Sequence, residues 1–360
     1  LILSRLFLTT CLFAVALVAG AQNNPKQNSP ASEGPKDPKA IKTFQAAIEW
    51  HKSGMDQAAI GSYRKAFKQD NGQCWACLSQ AYSLAMGIGA YKDAQEIARE
   101  WLTIAQNDTE KGTIHYGLGA SIEQQGLLEK KDKLFADSRD EFQTALALTP
   151  SLAAAHYNLG ICLAFLHQDN EAVEEFRRFL DQDKKMPTLH ARAERYVNRI
   201  DLARATMAPP FTVATLDGKQ ISMDSLAGKV VLIDFWATWC GPCREALPHM
   251  RSIAHKFEGQ PFVLLSINLD KDATKWRDFV AKNDMTWTQC HQDGFDGNVA
   301  KLFNVRAIPS TFSIDADGVM EDQHVGDANI EGKLKKMIAR AVELSSKNPT
   351  AAQHAGGSGQ

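Results

Sequence analysis

DFWATWCGPCREALP, residues 234–248, carries the sequence from a hydrophobic run into a helical pattern. The run that feeds it, VVLIDFWA from Val230, is continuous and apolar and reads as a buried strand. Pro242 suits the first turn of the helix that follows, because a residue there has no N–H bond to lose. Cys240 and Cys243 therefore stand where a strand hands over to a helix. The first thiol sits at the helix N-terminus, where unpaired N–H groups and the helix dipole favour the thiolate. The second lies one turn in and can close a disulfide with little backbone movement. Cys240 is thus the expected attacking nucleophile and Cys243 the resolving thiol. A zinc reading of C-x-x-C requires a second well-spaced Cys/His pair. The lone Cys290-His291 does not supply one, so neither a metal nor another cofactor is expected beyond the Cys240–Cys243 disulfide itself.

Around this motif, strand-like runs alternate with helical ones. FTVATL, FVLLSINLD, WTQC and STFSID are the further strands, and helices are expected near 243–257, 272–283, 297–304 and 329–344. Asp217-Gly218 and Asp317-Gly318 mark turns. The series implies an α/β domain over 207–344, a mixed sheet covered by helices.

Before Met207 the period is different. From 40 to 206 small and large apolar residues recur at helical spacing, with hardly a strand-like run. His115-Tyr116-x-Leu118-Gly119 returns as His156-Tyr157-x-Leu159-Gly160, and an insertion around LLEKKDKL separates the first copy from its later residues Phe142 and Ala145. The spacing resembles the tetratricopeptide repeat, units of about 34 residues forming helix hairpins. Four units are expected, near 40–73, 74–109, 110–150 and 151–185, with a capping helix over 188–204. Gly119, Gly160 and Ala172 would let paired helices approach closely. The alternative is an ordinary helical bundle. An all-α solenoid of this kind has no built-in catalytic chemistry and presents a concave surface. The resemblance implies a protein or peptide partner in its groove.

VVLIDFWATWCGPC closely resembles the thioredoxin active site, and the segment from Met207 to Glu343 resembles the extracytoplasmic TlpA-like redoxins. That resemblance implies a thioredoxin-like fold with an N-terminal hairpin and a thiol–disulfide oxidoreductase active in redox homeostasis. It implies a cis Ile308-Pro309 step whose loop lies beside the cysteines and aligns substrate backbone. It also makes Asp234 the buried acid that exchanges a proton with Cys243. The alternatives are a structural acid and an ordinary trans proline at a strand edge. Trp239, Gly241 and Pro242 are expected to meet substrate, while Trp236 packs in the core. Many TlpA-like proteins carry a glutamate three residues past the second cysteine. Ala246 stands there, and Glu245 would point about 100° away on the helix. Asp234 then carries the acid–base role, which with Gly241-Pro242 and Ile308 tilts the site towards reduction. By analogy the potential lies nearer thioredoxin's, about −270 mV, than that of the oxidant DsbA, about −120 mV. Protein disulfides or dithiols are the implied substrates and a membrane-linked partner the implied electron donor. A thiol peroxidase is the weaker reading, because Thr238 stands two residues before Cys240 where that chemistry wants three. A non-catalytic scaffold with a redox-sensing domain is the other alternative.

The 360 residues are 44% hydrophobic and 23% charged, and Lys+Arg 40 against Asp+Glu 42 leaves a net charge of −2. This is globular composition with nothing to attract nucleic acid. Arg5, the apolar run Leu6–Val18 and Ala19-Gly20-Ala21 form the pattern of a signal peptide over 1–21. An uncleaved anchor is the alternative. A periplasmic or secreted protein is expected, with a disordered linker over 22–39 and a disordered tail over 345–360. In an oxidising compartment Cys74 and Cys77, also spaced C-x-x-C, read as a local structural disulfide, a second redox pair or buried free thiols. Cys162 and Cys290 read as core residues. His249, one turn past Cys243, shows no acid partner in the sequence.

Overall fold

The computed structural model describes residues 34–183, 185–326 and 330–347. The expected signal peptide, most of the expected linker and most of the expected tail lie outside the described residues. The chain divides into two compact units, one ending at Arg204 and the other beginning at Ala205.

The first unit is helical. Its described helices are α1 (Pro38–Lys52), α2 (Asp56–Gln69), α3 (Trp75–Gly87), α4 (Tyr91–Leu102), α5 (Asp108–Glu129), α6 (Asp132–Leu148), α7 (Ala153–Phe165), α8 (Asp169–Gln182) and α9 (Pro187–Asn198). Each packs chiefly on its sequence neighbours, so the helices run as successive antiparallel pairs. Glycine decides how close two of these pairs come. A Cβ on Gly119 would stand 2.8 Å from the ring of Phe142, and one on Gly160 would stand 2.9 Å from that of Phe176. The repeated histidines are architectural too. His115 Nδ1 meets Glu141 at 2.7 Å across 26 residues, and His156 Nδ1 meets Glu175 at 2.5 Å across 19. The extra seven residues of the earlier pair are absorbed mostly by a longer α5, which ends at Lys130 in the left-handed region, φ 53°.

Three expected boundaries move. The chain is ordered before residue 40: Asp37 caps α1 and accepts from Lys39 N and Ala40 N, while Lys36 N and Asp37 N donate to Asp70 Oδ1 at 2.7 and 2.8 Å. The capping helix does not run through to 204 but breaks at Arg199, φ −142°, into a 3₁₀ turn over Ile200–Arg204. Arg204 there binds the Asp169 carboxylate and Ala164 O, which holds the turn against α7 and α8. The last helix of the chain also continues past the expected start of the tail, to Lys347. After Gly332 in its first turn no glycine or proline interrupts it, and Ser345 Oγ donates to Ala341 O.

The second unit opens with the hairpin β1 (Thr212–Ala214) and β2 (Gln220–Ser222). The main sheet holds β3 (Val230–Trp236), β4 (Phe262–Asn268), β5 (Thr288–His291), β6 (Ser310–Ile314) and β7 (Met320–Val325) in the order β5-β4-β3-β6-β7. β3, β4 and β5 are parallel, and β6 and β7 run antiparallel to the strands they pair with. Between them lie α10 (Gly241–Lys256), α11 (Ala273–Lys282) and α12 (Asn298–Leu302), with α13 (Glu331–Lys347) last. β3 is buried along its whole length, as its unbroken apolar run requires. On one face, Val230, Leu232 and Leu264 pack against Met250, Ile253 and Phe257 of α10 and Leu334 and Ile338 of α13. On the other, Phe235 and Phe312 form an aromatic cluster with Phe303, which in turn meets Phe211. Alternation along a strand then places Asp234 on the face of α10 and α13, the same face as Leu232.

Candidate active site

The tip of β3 holds the C-x-x-C motif at the start of α10. Cys240 is the helix N-cap, φ −81° and ψ 108°, and its sulfur accepts from Cys243 N at 3.2 Å. Cys240 and Cys243 form a disulfide with their Cα atoms 5.3 Å apart. The loop before them is tied down from β4. Asp270 accepts from Thr238 N at 3.0 Å and Thr238 Oγ1 at 2.8 Å, and is itself held by Asn268 Nδ2 at 2.7 Å. Leu269 N donates to Trp236 O and His291 Nε2 meets Asp270 O at 2.7 Å, so the ends of β3, β4 and β5 share one network. This tether escaped the sequence reading, although an Asn that ends a buried strand and an Asp just past it are candidates for such a loop anchor.

Ile308-Pro309 is a cis peptide bond at the entry to β6, and Ile308 O lies 3.8 Å from Cys240 Sγ. Trp239 is 60% exposed beside the motif, whereas Trp236 is buried with Cys240, Cys243, Trp276 and Met285. Pro242 is exposed at the first turn and Gly241 is half-buried. Glu245 faces solvent and Ala246 is buried, as the 100° helical step requires. His249 has the acid neighbour that its own sequence surroundings did not show. Its Nε2 lies 3.5 Å from Glu331 Oε1 at the start of α13, 82 positions away along the chain.

Asp234 is buried, and burial pushes its carboxyl up to about 7, against a smaller lowering from a hydrogen bond donated by Ser266 Oγ at 3.2 Å. Ser266 Oγ in turn accepts from Trp287 Nε1 at 2.8 Å. Neither Ser266 nor Trp287 stood out in the sequence, since their relation to Asp234 exists only through strand pairing.

Cys74 and Cys77 stand in nearly the same local geometry. Cys74 caps α3, its sulfur accepts from Cys77 N at 3.1 Å, and the two form a disulfide with Cα atoms 5.3 Å apart. Their surroundings differ. Both lie inside the apolar core of the helical unit beside Trp75, which packs edge-to-face on Trp101 at 4.9 Å. Cys162 and Cys290 are buried free thiols; burial raises both, Cys290 to about 12. Among the described residues no cluster of three or more His, Cys, Asp or Glu is placed to hold a metal ion.

Residues 205–323 match the AhpC/TSA family model. Over 133 residues the chain is 30% identical to the thiol-disulfide oxidoreductase ResA of Bacillus thuringiensis (strain Al Hakam), covering 36% of this chain and 76% of that one. The chain belongs to the thioredoxin-like AhpC/TSA family. Its second unit is a thiol–disulfide oxidoreductase. The thioredoxin-like protein YneN of Bacillus subtilis (strain 168) is likewise 30% identical over 131 residues, 35% of this chain and 74% of that one. Among solved structures, a thioredoxin-family thiol:disulfide interchange protein from Chlorobium tepidum TLS is 26% identical. It matches with a TM-score of 0.35 over 38% of this chain and 97% of its own.

Proposed function

We propose that this chain is an exported reductase of protein disulfides, with Cys240 as nucleophile, Cys243 as resolving thiol and Asp234 as the group that takes the Cys243 proton. The observation that supports it most directly is the position of Cys240. Its sulfur caps α10 and lies 3.8 Å from Ile308 O, between a cis-proline edge and an exposed tryptophan. A helix N-terminus stabilises the thiolate, and the Ile308-Pro309 edge offers backbone to an incoming extended peptide. In this reading Cys240 thiolate attacks a substrate disulfide and forms a mixed disulfide. Cys243 then attacks Cys240, closes the disulfide of α10 and releases the second substrate thiol. Trp239, Gly241, Pro242 and Ile308 meet the substrate. The helix pairs of the first unit, read as tetratricopeptide-like repeats, hold a protein or peptide partner, and the Cys74–Cys77 bond braces them. A signal peptide over 1–21 and a membrane-linked electron donor complete the proposal.

The test is insulin-disulfide reduction together with trapping. Cys240→Ser abolishes reduction, Cys74→Ser/Cys77→Ser retains it, and Cys243→Ser accumulates substrate mixed disulfides on Cys240. Equal loss in the first two variants overturns the assignment of roles.

A further inference from the structure

We infer that Ser266, Trp287 and Gln289 position and pass on the proton of Asp234, linking the buried carboxyl to solvent in a pocket at the outer edge of β5. The inference rests on the reading of Asp234 as the acceptor of the Cys243 proton.

Strand register carries the argument. Gln289 pairs with Ser266, Ser266 with Asp234, and Asp234 with Thr311. Side chains of directly paired residues share one face of a sheet, so these four form a single polar row across β5, β4, β3 and β6. The row crosses the face that α10 covers, between the apolar layer of Leu232 and Leu264 and the cluster around Trp236 and Cys243. All four residues are buried.

The row is polarised. Trp287 Nε1 donates to Ser266 Oγ and occupies a lone pair there, so the serine's own proton is directed at Asp234 Oδ2. On either side of this pair stand buried atoms without a partner: Gln289 Oε1 and Nε2 at one end, and Thr311 Oγ1 at the other. Buried polar atoms are almost always satisfied by protein or by ordered water. A group of them flanking a carboxyl that must gain and lose a proton is where hydrogen-bonded water belongs. Gln289 ends the row on β5, the edge strand of the sheet. With Trp287 and Met285 it lines a pocket of about 680 Å³, closed on its other side by Thr215, Asp217 and Lys219 around the β1–β2 hairpin.

Among the described residues, Asp234's direct partners in the row, Ser266 and Thr311, are hydroxyls that do not titrate. β4 contributes Ser266 and β6 contributes Thr311, while α11 and α13 contribute apolar side chains such as Trp276, Val280, Leu334 and Met337. α10 carries the two cysteines at its start. The next titratable member of the row is His324 on β7, paired with Thr311 and held by Asp322 at 2.9 Å.

The step balances as follows. Cys243 gives its proton to the Asp234 carboxylate as its sulfur attacks Cys240. The Cys240–Cys243 bond forms, the bond from Cys240 to the substrate sulfur breaks, and the substrate sulfur leaves with the electron pair. The enzyme dithiol is oxidised and the substrate disulfide reduced by two electrons. Asp234 then releases its proton to water hydrogen-bonded along Ser266 and Gln289 and out to the pocket.

The experiment follows release of thionitrobenzoate from a mixed disulfide on Cys240 by stopped flow between pH 5.5 and 9. Ser266→Ala removes one hydrogen bond from the carboxylate, so the midpoint of the rise moves to higher pH and the rate at pH 7 falls between about twofold and tenfold, the equivalent of one hydrogen bond. Trp287→Phe frees the serine hydroxyl and shifts the midpoint the same way by less. Gln289→Leu slows release, and raising the concentration of a small diffusible buffer restores it. Ser313→Ala is the control. That hydroxyl is buried and unpartnered too, but it pairs with Leu232 rather than Asp234, and its loss leaves the midpoint in place. Circular dichroism of each variant checks folding. A midpoint unchanged in Ser266→Ala, or a buffer-insensitive Gln289→Leu, overturns the inference. Asp234→Asn separates the two readings: if it leaves the pH dependence intact, the assignment of Asp234 itself fails.

Discussion

Replacing Asp234 by Asn should stabilise the protein, and by an amount that depends on pH. The unfolded carboxyl ionises near 3.8, whereas burial holds the folded one up to about 7. Between those values the native state binds a proton that the unfolded chain has released, so stability falls as pH rises through the window and is level on either side. Asparagine never ionises, retains an oxygen to accept from Ser266, and matches the aspartate in size. The advantage of the variant is therefore absent below about pH 4, grows at about 1.4 kcal/mol per pH unit, and levels off above pH 7 at roughly 4 kcal/mol. Urea unfolding of the oxidised wild type and variant, followed by tryptophan fluorescence at pH 4.5, 6, 7.5 and 8.5, measures the difference. Other titrating groups cancel in it. A difference that stays constant across these pH values refutes the reasoning, because it means Asp234 ionises as an ordinary carboxyl. The same variant should lose reductase activity, which makes the penalty of burying the acid a cost of function.

Other outcomes follow from the same geometry. Gly119→Ala or Gly160→Ala drives a methyl against the buried ring of Phe142 or Phe176 and should destabilise the helical unit by about 1–3 kcal/mol, read as a lower thermal midpoint by circular dichroism. Cys74→Ala/Cys77→Ala removes a short covalent loop, worth about 2 kcal/mol from the helical unit, while insulin reduction by the Cys240 site persists. Cys162 and Cys290, buried with raised thiols, should stay unmodified by iodoacetamide in the oxidised native protein at pH 8 and react once it is unfolded in urea.

The strand-to-helix handover at Cys240 was legible because each part is a local signal: an unbroken apolar run, a thiol at a helix start, a proline at the first turn. The repeat of His115 and His156 was legible for a similar reason. Packing partners recur at the same positions in each helix pair, so the pattern survives even where seven residues are inserted. Boundaries were less legible. Asp70 holds the chain ahead of α1 from 33 residues away, and Arg204 ends the capping segment by reaching Asp169 35 residues back. Such tethers leave no periodic mark in the segments they end.

Sequence alone determined the two kinds of architecture and the placing of Cys240 and Cys243 where a strand hands over to a helix, because these depend on spacing within one strand, one turn and one helix, while the resemblance to thioredoxins singled out Asp234. The sequence already set the two C-x-x-C pairs apart, since only Cys240 and Cys243 follow a strand and enclose Gly-Pro, yet their local geometry in the folded chain is alike. Tertiary structure separates them by what it brings from elsewhere. One pair is enclosed by Trp75 and Trp101 in an apolar core, and the other meets Ile308, an exposed tryptophan and an anchored loop. Only the pairing of β3 with β4 and β6 places Ser266 and Thr311 beside Asp234. Register across strands depends on long-range closure of the sheet, and no spacing along the chain encodes it.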